Sequence, residues 1–384
     1  MTASIDGRRA EAAEQDELEV VRTSRDDEVI RQRLERYLAT QLGPDAAPRV
    51  SAISSPSASG MSSETLLFEA SWREPGGDRE AGAFVGRMAP SAGDYPTFPT
   101  YDMGLQARVM RLAGEAGVPV PKVHWLEEDP GVLGAPFFVM ERLEGRVPAD
   151  VPPYLAAGWV FDATAEQRRG LQDATVAAIA RIHSIDLERN DVAFLEFDVP
   201  GDTPLRRHVA HQRAYYEWVA GGDRSPLIER AFEQLEASWP AETSRVVSWG
   251  DSRIGNVMYA TEGFEPVAIL DWEMAGIGPR ELDLGWLAFM HTFFQKLFEA
   301  MGAPGLPDFL QAEEIAATYA QVSGHRVEDL RWYQTYAAVR HAIIMTRIHA
   351  RMVRFGQGER APDPDDRFPH RATLEGMLDG SFWG

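Results

Sequence analysis

Three side chains in this sequence could act together on a phosphoryl group. The stretch Trp249-Gly250-Asp251-Ser252-Arg253-Ile254-Gly255-Asn256 is followed, after an apolar run, by Asp271-Trp272-Glu273. A carboxylate at Asp251 can accept the proton of an attacking hydroxyl. The amide oxygen of Asn256 and the carboxylate of Asp271 are hard oxygen ligands suited to Mg²⁺, so the set could hold a hydroxyl beside a metal-bound triphosphate. Arg253, between them, could neutralise charge near Asp251 or on a transferred phosphoryl group. The spacing requires a particular local structure. Val257-Met258-Tyr259 and Pro266 to Leu270 read as short strands around a turn at Gly263, a hairpin that brings Asn256 and Asp271 together at its open end.

The rest of the chain supplies elements that could carry this site. Val29, Leu34, Tyr37, Leu38 and Leu42 recur at helical spacing and predict a helix over 26–41. Strands are predicted over 49–54, 64–72, 81–88, 123–127 and 136–142, an antiparallel sheet interrupted by a helix over 105–116. From Ala163 onward the pattern is mostly helical, over 165–184, 205–220, 226–238, 282–301, 311–324, 327–355 and 369–378. Residues 1–25 are charge-dense with little apolar content and read as a mobile tail. The expected organisation is therefore the tail, a small unit over 26–142 and a larger helical unit over 143–384.

Composition narrows the function classes. With no cysteine, the chain has no disulfide, thiolate metal site or cysteine nucleophile, and a bound metal is expected to sit on oxygen. A formal net charge of −21 argues against a nucleic-acid partner, because phosphate backbones are bound by basic surface. No apolar run approaches the roughly 20 residues of a membrane span, and the first residues lack the apolar core of a signal peptide, so no membrane partner and a cytoplasmic location are expected. Lys122 and Lys296 are the only lysines, and neither lies on a predicted strand next to a phosphate-binding turn.

Five blocks in order give the chain its resemblance: Ser59-Gly60-Met61-Ser62-Ser63-Glu64-Thr65, Phe84 to Pro90, Gly134 to Glu141, Asp251 to Asn256, and Ile269 to Glu273. Through them it resembles the aminoglycoside phosphotransferase family, in particular the actinobacterial branch related to kinase domains joined to acyl-CoA dehydrogenases. The resemblance implies an α+β, bilobal protein-kinase-like fold. The small lobe would hold an antiparallel sheet and one or two helices, and the large lobe would be mostly helical with the catalytic loop and substrate pocket.

The loop at Ser59, Gly60, Met61, Ser62 and Ser63 has small residues that let backbone N–H groups and hydroxyls approach phosphates. By the resemblance, Arg87 occupies the place of the kinase lysine that contacts the α- and β-phosphates, where a guanidinium keeps the charge and can fork onto two oxygens. Gln106 falls where a glutamate usually anchors that cation, with Asp102 and Glu115 as alternative anchors. Backbone groups near Glu141 and Leu143 would pair with the adenine edge, with Met140 as a wall of the pocket. Trp249 stands where a bracing histidine is common, so its indole must substitute by packing. Asp283 and His183 read as structural supports of the loop, and His341 and His349 make a poor metal site without an acidic companion.

The resulting expectation is an enzyme that moves the γ-phosphoryl group of ATP, with GTP as the other candidate, to a hydroxyl of a small molecule with the help of Mg²⁺. Aminoglycosides, hydroxylated acyl thioesters and macrolide-like compounds are all compatible acceptors. The alternative is a degenerate, nucleotide-binding regulatory module, suggested by Arg for Lys, Gln for Glu and Trp for His in one site.

Overall fold

The structure, a computed structural model, describes residues 25–54, 63–242 and 244–384. The predicted tail, apart from Arg25, and Ser59, Gly60, Met61 and Ser62 of the predicted phosphate loop lie outside the described residues. The first elements are helix α1 (Asp27–Leu42), strands β1 (Arg49–Val50), β2 (Glu64–Arg73) and β3 (Arg79–Met88), helix α2 (Met103–Glu115), strand β4 (Val123–Glu127), the single turn α3 (Pro130–Leu133) and strand β5 (Phe137–Glu141). Their strands form one antiparallel sheet in the order β1-β2-β3-β5-β4. Asp26 caps α1 by accepting the N–H groups of Glu28 and Val29, and Asp102 caps α2 by accepting that of Leu105. Apolar faces of both helices, with Leu34, Leu38, Ala107 and Val109, pack into the same core as Phe68, Phe84 and Phe137 of the sheet.

The larger part contains α4 (Ala165–His183), α5 (Pro204–Ala220), α6 (Pro226–Ala237), β6 (Val246–Ser248), β7 (Val257–Tyr259), β8 (Pro266–Ile269), β9 (Gly276–Gly278), α7 (Glu281–Ala300), α8 (Ala312–Ser323), α9 (Arg331–Arg354) and α10 (Arg371–Asp379). This is the bilobal, protein-kinase-like architecture. Two cores support it: one is continuous from the five-stranded sheet through α4 to the loop around Trp249, and the other joins α5, α6, α7, α9 and α10. The pairing of β6 with β9 was not predicted, because three-residue strands carry too little alternation to be seen. Helix α9 starts at Arg331 rather than 327, where the Asp329 carboxylate accepts the Arg331 N–H and turns the chain into the helix.

Between β3 and α2 the chain crosses to the helical lobe. The Tyr215 hydroxyl of α5 donates to the Thr97 carbonyl at 2.9 Å, and Arg347 Nε of α9 donates to the Pro96 carbonyl at 2.8 Å. The Arg347 guanidinium also lies 3.5 Å from the centre of the Tyr95 ring. This strap ties the lobes together at one end of the cleft.

Candidate active site

The β7–β8 hairpin forms as the spacing requires. Val257 pairs with Ile269, and the Leu270 N–H donates to the Asn256 carbonyl at 2.9 Å, so the pairing runs to the two residues that precede β7 and follow β8. Asp271 follows directly, with its backbone in the left-handed region at φ 57°, a conformation that costs an L-residue about 1–2 kcal/mol. Trp249 helps hold it there. Its indole N–H donates to the carbonyls of Leu270 and Asp271 at 2.9 and 3.2 Å, so this tryptophan braces the loop by hydrogen bonding as well as by the expected packing.

Asp251 and Asn256 are in direct contact. Asn256 Nδ2 donates to Asp251 Oδ2 at 2.6 Å and to the Asp251 carbonyl at 3.1 Å, which turns the amide oxygen of Asn256 the other way. Asp251 Oδ2 also receives Arg253 Nε at 3.3 Å, and Oδ1 receives the indole N–H of Trp286 at 2.7 Å. A carboxylate offers about four lone-pair sites, so these three donors leave about one for a further hydrogen bond.

Arg253 is pinned between two carboxylates, with Nη1 bonded to both oxygens of Asp150 at 2.8 and 2.7 Å. Burial alone would lower its pKa, but Asp251 and Asp150 outweigh burial and raise it, so it is a fixed cation. Asp271 has no such neutralisation. Burial and the nearby Asp251 charge push its carboxyl up against the pull of Arg87, whose Nη2 is 3.9 Å from Asp271 Oδ1. That Oδ1 atom is buried with no hydrogen-bond partner among the described residues.

An under-compensated acid with an orphaned oxygen, next to an amide oxygen turned away from its own partner, fits a divalent cation better than an empty structural corner. The described residues contain no cluster of three or more His, Asp or Glu that could form an all-protein metal cage. Two protein oxygens with water and phosphate completing the shell is the pattern Mg²⁺ tolerates best.

Arg87 lies on β3 opposite Thr65 of β2, and its Nη1 donates to Thr65 Oγ1 at 3.0 Å. The expected anchors do not reach it. Gln106 is buried on α2 with no hydrogen-bond partner for Nε2 among the described residues, Asp102 is spent on the helix cap, and Glu115 sits exposed in the last turn. The strand register, which puts Thr65 directly across from Arg87, replaces the helix-borne anchor. Ser63, the described end of the predicted phosphate loop, is buried with its hydroxyl unpaired among the described residues.

At the hinge, the Glu141 N–H donates to the Lys122 carbonyl at 3.0 Å and the Arg142 N–H to the Ala83 carbonyl at 2.9 Å. The Leu143 N–H makes no such bond among the described residues. Met140 is buried beside it on β5.

Beneath the loop, Asp283 accepts the backbone N–H groups of Trp249 and Gly250 at 2.8 and 2.9 Å, the Ser248 hydroxyl at 2.9 Å and His183 Nε2 at 2.9 Å. His183 turns its other nitrogen to the Tyr319 hydroxyl. His341 lies among aromatic rings, and His349 Nε2 accepts the Ala361 N–H, so these two histidines do not converge. Sequence reasoning passed over Trp286, Arg340 and Asp150. Trp286 alone had a signal, since it lies one helical turn after Asp283 on the face turned to the loop.

Fold and site together define a kinase-like phosphotransferase scaffold, and comparison with known proteins assigns it further. The model of the phosphotransferase enzyme family, APH, matches residues 70–326, and the chain belongs to that family. A relative in Arabidopsis thaliana, probable acyl-CoA dehydrogenase IBR3, is 29% identical over 66% of this chain but only 32% of its own length. Acyl-CoA dehydrogenase family member 10 of Mus musculus is 30% identical over 47% of this chain and 16% of its own length. The chain thus spans a third or less of these relatives.

Among solved structures, a candidate aminoglycoside phosphotransferase from Ralstonia eutropha superposes with a TM-score of 0.64 at 22% identity, over 90% of this chain and 96% of that one. A thermostable variant of aminoglycoside phosphotransferase APH(4)-Ia, in a complex with AMP-PNP and hygromycin B, gives a TM-score of 0.51 at 16% identity over 91% and 97%. At these identities the likeness shows the fold. Among the described residues no helix is long and apolar enough to cross a membrane.

Proposed function

We propose that this protein transfers the γ-phosphoryl group of ATP, or of GTP, to a hydroxyl group of a small molecule. One observation carries this reading: the Asp251 carboxylate is held by three donors with about one acceptor site left, beside the Asn256 amide whose NH₂ it binds and near Asp271, whose buried Oδ1 has no hydrogen-bond partner among the described residues. Asp251 orients the acceptor hydroxyl and takes its proton, while the Arg253 Nε–H donates to that carboxylate. Asn256 and Asp271 would hold Mg²⁺, which supplies charge neutralisation on the phosphates when bound. Arg87, Ser63 and the loop over 59–62 would contact the phosphate tail, and the Leu143 N–H and Met140 the base. The fixed dipoles and cations of the cleft are in place before the substrate arrives, which is where most of the rate gain in such a transfer originates.

One observation favours an acceptor with an apolar or acyl portion over a polyamine. Two relatives are named as acyl-CoA dehydrogenases. The test is MgATP turnover against a panel of hydroxylated acyl thioesters, macrolides and aminoglycosides, with nucleotide binding followed by calorimetry. The reading expects transfer to at least one alcohol, and expects Asp271→Ala to abolish the Mg²⁺ dependence of ATP binding. Nucleotide binding without transfer to any alcohol, unchanged by Asp251→Ala, would instead make the protein a regulatory module.

A further inference from the structure

The helical lobe buries a cation directly behind the proposed base. Arg340, on α9, is 1% exposed, yet none of its bonds is to a carboxylate. Its Nη2 donates to the Gly250 carbonyl at 3.1 Å, its Nε has no partner among the described residues, and its guanidinium carbon lies 4.3 Å from the centre of the Trp286 ring. The Tyr336 ring is farther off, at 6.0 Å, and an ion held inside a protein by one carbonyl and ring faces is a net cost that an apolar side chain of similar volume would avoid. Asp283 does not require this cation in contact, because its acceptor positions are filled by Ser248, Trp249, Gly250 and His183.

The Gly250 and Trp286 contacts of Arg340 both lead to Asp251. Gly250 is the residue before Asp251, and the Trp286 indole N–H is the donor to its Oδ1. A cation over the face of an indole draws electron density from the ring and makes the N–H a stronger donor. We infer that Arg340 and Trp286 form a positioning pair for Asp251: Arg340 fixes the peptide that precedes the carboxylate and polarises the indole that grips Oδ1, so that the remaining acceptor site points at the incoming hydroxyl. This rests on the reading of Asp251 as the group that receives the acceptor hydroxyl. Both residues are buried beneath the loop, and a purely structural role would leave both the strength of the indole hydrogen bond and the balance of kcat and KM unaltered.

The experiment uses the full chain with ¹⁵N-labelled tryptophan indoles, in which the ten Nε1–H resonances are compared. Trp286→Phe identifies the resonance in question, and Asp251→Asn gives its position when the carboxylate is gone. In Arg340→Met the Trp286 proton resonance moves upfield toward that position, and Arg340→Lys, which keeps the charge, restores part of the displacement. MgATP turnover with the alcohol that the panel identifies as acceptor then gives kcat roughly 10- to 100-fold lower in Arg340→Met and in Trp286→Phe, with KM for ATP within about twofold of wild type.

A Trp286 resonance unmoved in Arg340→Met overturns the inference, and so does a wild-type kcat in Trp286→Phe. Should Arg340→Met not fold, Arg340→Lys and Trp286→Phe decide by the same two measurements. A wild-type protein that turns over no ATP counts against the proposed function, and the resonance comparison still decides whether the pair holds Asp251.

Discussion

Asp283→Asn is the most informative single change outside the chemistry itself. The two carboxylate oxygens of Asp283 each receive two donors, at 2.8 to 2.9 Å, from Ser248, Trp249, Gly250 and His183. An asparagine can keep one oxygen facing one pair, but its NH₂ then faces the other pair, where the Ser248 hydroxyl or the His183 ring can turn to accept while the backbone N–H is left buried without an acceptor. Hydrogen bonds to a charged group contribute about 1.5–3 kcal/mol each, so losing this one costs about that much. That is a large share of the roughly 5–15 kcal/mol by which a domain is stable.

The pH dependence adds a second signature. Burial alone would raise the Asp283 pKa, but the His183 bond and charge and the N–H groups of Gly250 and Trp249 outweigh it and hold the carboxyl below its usual range. A group whose folded pKa is depressed contributes its full stability above its unfolded pKa, near 4, and loses it as pH falls toward the lower folded value. Asparagine cannot titrate. The variant should therefore unfold at markedly lower urea at pH 7, and its unfolding free energy should fall less steeply than wild type between about pH 5 and pH 3. A variant within about 1 kcal/mol of wild type with the same acid slope would refute the argument that this carboxylate organises the loop.

Further outcomes follow from the same geometry. Gly250 has φ 92°, and a Cβ there would lie 2.0 Å from the Met274 carbonyl oxygen, so Gly250→Ala must move backbone and should cost well over the roughly 1–2 kcal/mol of the strained φ alone. Gly43→Ala is its control: with φ 96° and nothing within 4 Å of the added carbon, it should lose only that backbone increment in the same melt. Thr65→Val keeps the strand but removes the Arg87 bond, so KM for ATP should rise several-fold with Tm changed little; an unchanged KM would mean that Arg87 needs no anchor from β2.

Much of this architecture was legible in the residue order. The helices from α4 to α8 and strands β2 to β5 fall within about two residues of their predicted bounds, because alternation, helical spacing and caps are local signals. Asp251, Asn256 and Asp271 were legible for a related reason: a hairpin of fixed length dictates where its two ends meet. What escaped was set by distant partners. Arg87 takes its anchor from strand register, which no local pattern reports. Trp286 and Arg340 meet the loop from 35 and 90 residues further along the chain, and only the packing of α7 and α9 beneath it brings them there. Trp249 was read as a volume, although its indole N–H does more by tying the loop to Leu270 and Asp271.

The central claim is that Asp251 meets the acceptor while the nucleotide is held by other groups. It is tested most directly by comparing Asp251→Ala with wild type in one preparation, measuring MgATP affinity by calorimetry and phosphoryl transfer to whichever alcohol the panel identifies. The account predicts an affinity within about twofold of wild type and turnover lower by roughly 10²- to 10⁴-fold, the range for loss of a general base. Turnover that survives the substitution, or nucleotide binding that disappears with it, would contradict the account.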